Sequence, residues 1–122
     1  MLRIAGLLMM VALTTGVKGS QAPQKPSAFV VIFSLGPNWD SSKPADQQRG
    51  FREHSANLQR LRSEKSVLLG GRFSDKGMVI VQAADEASAR AMFADDIMVK
   101  ERVFNMELHP FSPFYTGCIP AP

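Results

Sequence analysis

One of the two histidines in this chain lies where a helix is predicted, and its position suggests a chemical role. The spacing of Phe51, His54, Leu58 and Leu61 places the imidazole on the same side of that helix as the apolar residues. Because imidazole titrates near neutral pH, a histidine at the mouth of a pocket can act as a general acid or base. A histidine at the boundary of the core, with its hydrogen bonds satisfied by the protein, is the alternative. The spacing leaves both interpretations open.

Two adjacent carboxylates, Asp95 and Asp96, follow the second predicted helix and are candidates to support His54. Adjacent side chains point to different sides, so we expect at most one of the two to reach a cavity that it shares with the histidine. A carboxylate that accepts a hydrogen bond from the imidazole would fix its tautomer and raise its basicity. The arrangement to look for is therefore a pair of His54 with one aspartate.

Arginines and glycines elsewhere in the chain could complete a ligand site. Arg49 and Arg52 share the helix of His54 and could hold an anionic ligand, although a solvated helix surface is the ordinary place for arginine. Gly70 and Gly71 permit the close approach of a ligand or of backbone, and they would equally suit a bulge or a turn. Arg52 and Gly71 are the candidate substrate-binding residues.

The sequence lacks the motifs of the common metal and cofactor sites. It contains no CxxC, HExxH, GxGxxG or Walker motif and no serine nucleophile elbow. Its two histidines and single cysteine are widely spaced, so we predict neither a zinc site nor a cofactor. The lone Cys118 cannot close an intrachain disulfide, and an unpaired thiol or an intermolecular bridge is expected.

The N-terminal residues have the pattern of a secretory signal peptide. Arg3 precedes an apolar run over residues 4–17, and small residues at Gly19 and Ser20 suit cleavage after Gly19. The run has about fourteen residues, whereas a membrane-spanning helix needs roughly 20. An uncleaved anchor is the alternative. We expect residues 1–19 to be removed, residues 20–27 to form a linker, and the mature protein to be secreted or periplasmic, with no membrane association.

Composition excludes several classes of protein. A chain of 122 residues fits one small domain. Its 14 Lys and Arg face 11 Asp and Glu, and loss of the signal peptide would lower the net charge from +3 to about +1. The basic residues are scattered among acidic ones, so no nucleic-acid surface is predicted.

The order of predicted elements is βαββαβ. Strands are expected over residues 28–35, 67–73, 77–82 and 102–108, and helices over residues 46–64 and 86–95, with Asp85 as the cap of the second helix. This order predicts an α+β, ferredoxin-like domain over residues 28–112, with two helices on one face of a four-stranded antiparallel sheet. A proline-rich tail follows over residues 113–122.

The strands are apolar on both faces, which favours a homodimer. In the first strand Phe29, Val31 and Phe33 point one way, while Val30 and Ile32 point the other. Helices can cover only one of these faces, so a second copy of the chain is expected to cover the other. The alternative is a monomer covered by its own tail. A lysine at Val31 is expected to disrupt the dimer.

The order of several short motifs resembles the YCII-related (YciI-like) family of dimeric α+β barrel proteins. These motifs are an apolar first strand, a helix with a histidine followed by leucines, a Leu-Leu-x-Gly strand and a glycine-led strand, matched here by residues 29–35, 54–61, 68–71 and 77–81. An aspartate segment, a Val-Phe strand and an x-Pro-Phe ending match residues 96–99, 103–104 and 109–111. The resemblance implies a dimeric barrel whose catalytic residues are His54 and Asp96.

The resemblance also implies a function and shows two departures from the family pattern. It implies a small-molecule-binding protein, with acid/base chemistry of the lyase or isomerase type on ring compounds. Ile97 and Met98 replace the family's proline and aromatic residue, and Phe51 stands where an arginine is frequent. These departures favour the alternative of a non-catalytic binding or interaction module on the same scaffold.

Overall fold

The computed structural model describes residues 25–117, together with residues 16, 19, 119 and 120. The predicted signal peptide lies outside the described residues except for Gly16 and Gly19, and Cys118 also lies outside them. The elements are β1 (Ser27–Leu35), a 3-10 turn (Ala45–Gln47), α1 (Phe51–Ser63), β2 (Val67–Phe73), β3 (Lys76–Ala83), α2 (Glu86–Ala91), α3 (Ile97–Lys100) and β4 (Phe104–Phe111). None of the helices in this part of the chain has the length and apolarity that crossing a bilayer requires.

The four strands form one antiparallel sheet in the order β2-β3-β1-β4. α1 connects β1 to β2, and α2 and α3 connect β3 to β4. This is the ferredoxin-like arrangement. The predicted α+β class is therefore confirmed. Ser74 and Asp75 form the turn between β2 and β3, where Ser74 takes a φ of 51°.

All three helices pack on one face of the sheet and build the core there. Side chains from β1, β3 and β4 meet side chains from α1, from α2 and from the turns after α2 in a single buried cluster, whose members are Phe29, Val31, Phe33, Leu61, Val79, Val81, Ala83, Ala89, Phe93 and Leu108. Alternate residues of β1 enter this cluster, as the period of two in a strand requires.

The helical segments differ from the two predicted helices. The first was expected from Asp46, but α1 begins at Phe51 because Gly50 adopts a left-handed φ of 82° that ends the preceding turn. The second was expected to reach residue 95, but α2 ends at Ala91 and α3 begins separately at Ile97. Two helices were predicted, and the described part of the chain also contains a third, short helix, whose N-cap is Asp96.

The last strand is also longer than the predicted 102–108. β4 pairs with β1 from Phe104 opposite Leu35 as far as Phe111 opposite Ala28. Pro110 lies within the pairing because β4 is an edge strand, where a residue without an amide hydrogen can be placed on the unpaired side.

The opposite face of the sheet carries a second apolar surface. Val30 lies beside Ile80 in the register, and Ile32 lies beside Met78. Val31 does not belong to this surface, because its side chain is fully buried beneath the helices. The expectation that a lysine at Val31 tests the open face was wrong, and Val30 or Ile32 is the correct position.

Candidate active site

A buried hydrogen bond joins His54 in α1 to Asp96 at the start of α3. The Nδ1 of His54 lies 2.6 Å from Oδ2 of Asp96, and the two side chains are 7% and 0% exposed. An ionised carboxylate only accepts hydrogen bonds, so the proton of this contact belongs to Nδ1 of the imidazole. The pairing therefore holds the ring in the tautomer that leaves Nε2 as an acceptor.

The backbone around Gly50 and Asp96 brings these two side chains together. Gly50 precedes the first turn of α1, and its carbonyl accepts a hydrogen bond from the amide of His54 at 2.9 Å. A Cβ at Gly50 would overlap Cγ2 of Ile97, so only glycine allows α3 to approach α1 this closely. Asp96 is held in turn by its capping role, because Oδ1 accepts a hydrogen bond from the amide of Met98 at 3.1 Å.

Two aromatic rings lie against the imidazole and leave its Nε2 edge open. The ring of Phe33 lies 5.0 Å from that of His54, and the ring of Phe104 lies 5.3 Å away, both in edge-to-face geometry. Such contacts fix the orientation of the imidazole without using its nitrogens. None of the described groups forms a hydrogen bond with Nε2, and no buried side-chain nitrogen or oxygen in this part of the chain lacks a partner. Nε2 is therefore reached from the adjoining cavity.

A cavity of about 700 Å³ lies next to His54. Its walls come from the end of β1 and the loop that follows it, from α1, from the β2–β3 hairpin and from the start of β4. Its apolar lining includes Phe33, Leu35, Trp39, Phe51, Leu58, Phe73, Val79 and Phe104. Trp39 stacks on Phe104 with a ring separation of 5.7 Å and an interplanar angle of 20°. A concave, mostly apolar surface with few polar groups is the general character of a small-molecule site.

Gln48 fixes the loop that carries Trp39. Its side chain is buried and accepts a hydrogen bond from the amide of Asp40 at 3.0 Å. Its Nε2 also donates to the carbonyl oxygens of Asp40 and Lys43, at 2.7 and 3.0 Å. These three hydrogen bonds of one buried side-chain amide hold the loop in place.

The charges on the cavity wall come from the β2–β3 hairpin. Arg72, Asp75 and Lys76 all line the cavity. The Lys76 ammonium lies 3.1 Å from Oδ1 of Asp75, and its hydrogen bond and charge hold the pKa of Asp75 below the ordinary aspartate value. Asp75 therefore stays ionised near neutral pH and offsets the charge of Lys76, while Arg72 forms no ion pair with any described residue.

The structure places the predicted site residues in different surroundings. His54 and Asp96 are in contact, whereas Asp95 is exposed. Gly71 lines the cavity, and a Cβ there would meet no atom within 4 Å. Arg52 is exposed and is not among the cavity-lining residues.

Several residues of the site were not found from the sequence. Phe104 carries no local signal because it contacts Phe33, Trp39 and His54, which only folding brings near. Gln48 carries none because a glutamine that holds its own loop does not differ in sequence from a solvent-exposed one. Trp39 and Arg72 offered weak signals, namely a lone tryptophan in a loop of turn-forming residues and an arginine directly after the glycine pair. Among the described residues, no group of three or more His, Cys, Asp or Glu is arranged to hold a metal ion.

Comparison with known proteins adds no relative to this picture, since neither a protein-family model nor a curated protein matches the chain. The residues that depart from the YciI-like pattern nevertheless have defined places in the fold. Phe51 contributes to the cavity wall, Met98 is fully buried, and Ile97 packs against Gly50.

Proposed function

We propose that this protein is a YciI-like small-molecule-binding protein in which His54 acts as a general acid and base on a ring compound. The observation that carries the proposal is the buried contact of 2.6 Å between His54 Nδ1 and Asp96 Oδ2, with Nε2 facing the cavity. A titratable pair that is buried beside a cleft is a candidate functional site, because the burial of charged groups is costly.

In the proposed reaction Nε2 of His54 takes a proton from a carbon or oxygen of the bound ring. Asp96 is a positioning residue that holds the tautomer and stabilises the imidazolium formed in this step. Return of the proton at another ring position gives an isomerisation. Loss of a leaving group such as chloride from the deprotonated ring gives an elimination, after which the imidazolium releases its proton to water.

Exchange of ring hydrogens for deuterium tests this proposal without knowledge of the true substrate. The protein would be incubated in D₂O with a panel of unsaturated lactones, cyclic diketones and chlorinated hydroquinones, and deuterium uptake would be followed by mass spectrometry. We expect exchange into at least one compound, with loss of about 10²-fold or more in rate for His54→Gln. Exchange that proceeds equally in His54→Gln would refute the role of His54.

The second candidate function is a non-catalytic binding module, which the presence of Phe51 in the cavity wall favours. A phenylalanine there provides apolar surface where the YciI-like pattern frequently has an arginine. In this case the compounds of the panel would raise the melting temperature of the protein. They would take up no deuterium from solvent in its presence.

The resemblance further supports a homodimer that closes a barrel through the open face of the sheet. Val30, Ile32 and Met78 are only partly buried there, and Ile80 lies among them. Pairing of two such faces would bury this apolar surface. Light scattering should give a dimer for the wild-type protein and a monomer for Val30→Lys, because a lysine in such an interface is buried without a partner. A stable wild-type monomer at micromolar concentration would refute the proposal.

Export remains a proposal based on residues 1–19. The positive start, the apolar run and the small residues at the cleavage position support a secreted or periplasmic mature protein that begins at Ser20. Intact-mass measurement of protein from the culture medium or the periplasm checks this start. Soluble protein that retains Met1 would contradict it.

A further inference from the structure

The cavity wall carries one positive charge that no described carboxylate neutralises. Arg72 lines the cavity from β2 and makes neither an ion pair nor a side-chain hydrogen bond with any residue in the described ranges. Lys76 and Asp75 compensate each other on the same hairpin. A guanidinium with free donors presents a planar fork that matches a carboxylate.

The opposite part of the cavity presents aromatic surface. Trp39 and Phe104 stack on each other at an angle of 20°, and Phe33 lies 5.9 Å from Phe104. These rings lie next to His54, which contacts both phenylalanines. A ligand that satisfies both parts of the cavity needs an apolar ring for this side and a negative group for Arg72.

We infer that the cavity takes a ring compound with a single carboxylate, which Arg72 binds while the ring lies against Trp39 and Phe104. The inference deepens the proposed function and rests on it for the placement of the ring beside Nε2 of His54. One uncompensated cation matches one negative charge, so a monocarboxylate fits the wall better than a phosphate with nearly two charges. Arg72 thereby becomes the residue that determines specificity.

Trp39 allows binding to be measured directly, because it is the only tryptophan of the chain. Benzoate and its neutral analogue benzamide would be titrated into the mature protein, which begins at Ser20, while tryptophan fluorescence is recorded. We expect benzoate to bind about threefold more tightly than benzamide, because Arg72 is exposed and solvent screens its attraction for a carboxylate. Added salt should weaken benzoate binding and leave benzamide binding unchanged.

Variants then assign the difference to Arg72. Arg72→Gln should lower benzoate affinity more than benzamide affinity, so that the preference for benzoate is lost, and Arg72→Lys should retain part of the preference. Arg62→Gln is the matched control, since Arg62 is an exposed arginine of α1 outside the cavity lining. A thermal melt of each variant verifies that it is folded, which we expect because Arg72 is exposed.

The outcomes separate this inference from the proposed function. Equal affinity of the wild-type protein for benzoate and benzamide, absence of benzoate binding, or benzoate binding that is unchanged in Arg72→Gln would each overturn the carboxylate site. Arg72-dependent benzoate binding together with no deuterium exchange in any ring compound would support the carboxylate site and overturn only the catalytic role of His54. Deuterium exchange into a ring compound that carries a carboxylate, with a KM unaffected by Arg72→Gln, would support that catalytic role and overturn only the carboxylate site.

Discussion

Replacement of Asp96 by asparagine should invert the tautomer of His54 while it leaves the fold nearly unchanged. The carboxylate accepts two hydrogen bonds with different oxygens, from His54 at Oδ2 and from the amide of Met98 at Oδ1. Asparagine has only one side-chain oxygen. If this oxygen accepts the hydrogen bond from Met98 and so caps α3, the NH₂ group faces His54. Nδ1 must then accept rather than donate, so the proton moves to Nε2, which can no longer act as a base.

The magnitude follows from the number of contacts that each variant keeps. Asp96→Asn keeps both hydrogen bonds with one polarity reversed, so we expect a loss of about 1 kcal/mol or less in the free energy of unfolding. Asp96→Ala leaves a buried N–H without an acceptor, at about 1–3 kcal/mol. It also removes the helix cap, at about 1 kcal/mol, for a total of about 2–4 kcal/mol.

The assay is ¹⁵N NMR of the imidazole nitrogens, whose chemical shifts distinguish the protonated from the unprotonated nitrogen. We expect a protonated Nδ1 at His54 in the wild-type protein and a protonated Nε2 in Asp96→Asn. Asp95→Asn is the matched control, because Asp95 is adjacent in sequence but exposed. The exposed His109 provides an internal reference in every sample.

Two results would refute the reasoning. One is a wild-type His54 that carries its proton on Nε2, since the carboxylate would then have no donor to accept from. The other is a His54 spectrum that is the same in Asp96→Asn as in the wild-type protein. Loss of deuterium exchange in Asp96→Asn with full thermal stability would connect the tautomer to the proposed proton transfer.

Three further substitutions test residues in turns and loops that affect the stability of the fold. Gly50→Ala should lower stability by about 2–4 kcal/mol in urea unfolding, because alanine is strained at a φ of 82° and would overlap Ile97; an unchanged midpoint would contradict this contact. Lys65→Gly should raise stability by about 1 kcal/mol, since Lys65 occupies the left-handed position after α1 with a φ of 62°; a lower melting temperature would disprove it. Gln48→Ala should lower stability by about 1–3 kcal/mol and shift the fluorescence of Trp39 to longer wavelength as its loop loses three hydrogen bonds, whereas an unshifted spectrum would show that the loop is held by other contacts.

Features that depend on neighbours in the chain could be predicted from the sequence. The strand β2 has the predicted bounds of residues 67–73, and Asp85 caps α2 through Ser88 as expected. The bounds of β2 are set by the turn residues that follow it, and the start of α2 is set by a cap only three residues from its partner. The α+β class could also be predicted from the order of the elements, because this order limits how the elements can pack.

Features that depend on the path of a turn could not be predicted. His54 and Asp96 are 42 residues apart, and whether Asp95 or Asp96 meets the imidazole is decided by where α2 ends and α3 begins. Gly50 then lets Ile97 lie against the start of α1, which brings Asp96 next to His54. A shift of one residue in this turn would exchange the buried aspartate for the exposed one.

The cavity is the feature that tertiary structure alone decided. Its aromatic wall combines Phe33 of β1, Trp39 of the following loop and Phe104 of β4, while Arg72 arrives from the opposite edge of the sheet. The sequence by itself determined the strands and helices that carry these residues, because periodicity and capping act over a few positions. Which side chains share one cavity depends on sheet order and on close contact between α1 and α3, both of which join residues that are distant in the chain. It also depends on the buried Gln48, which fixes the loop of Trp39.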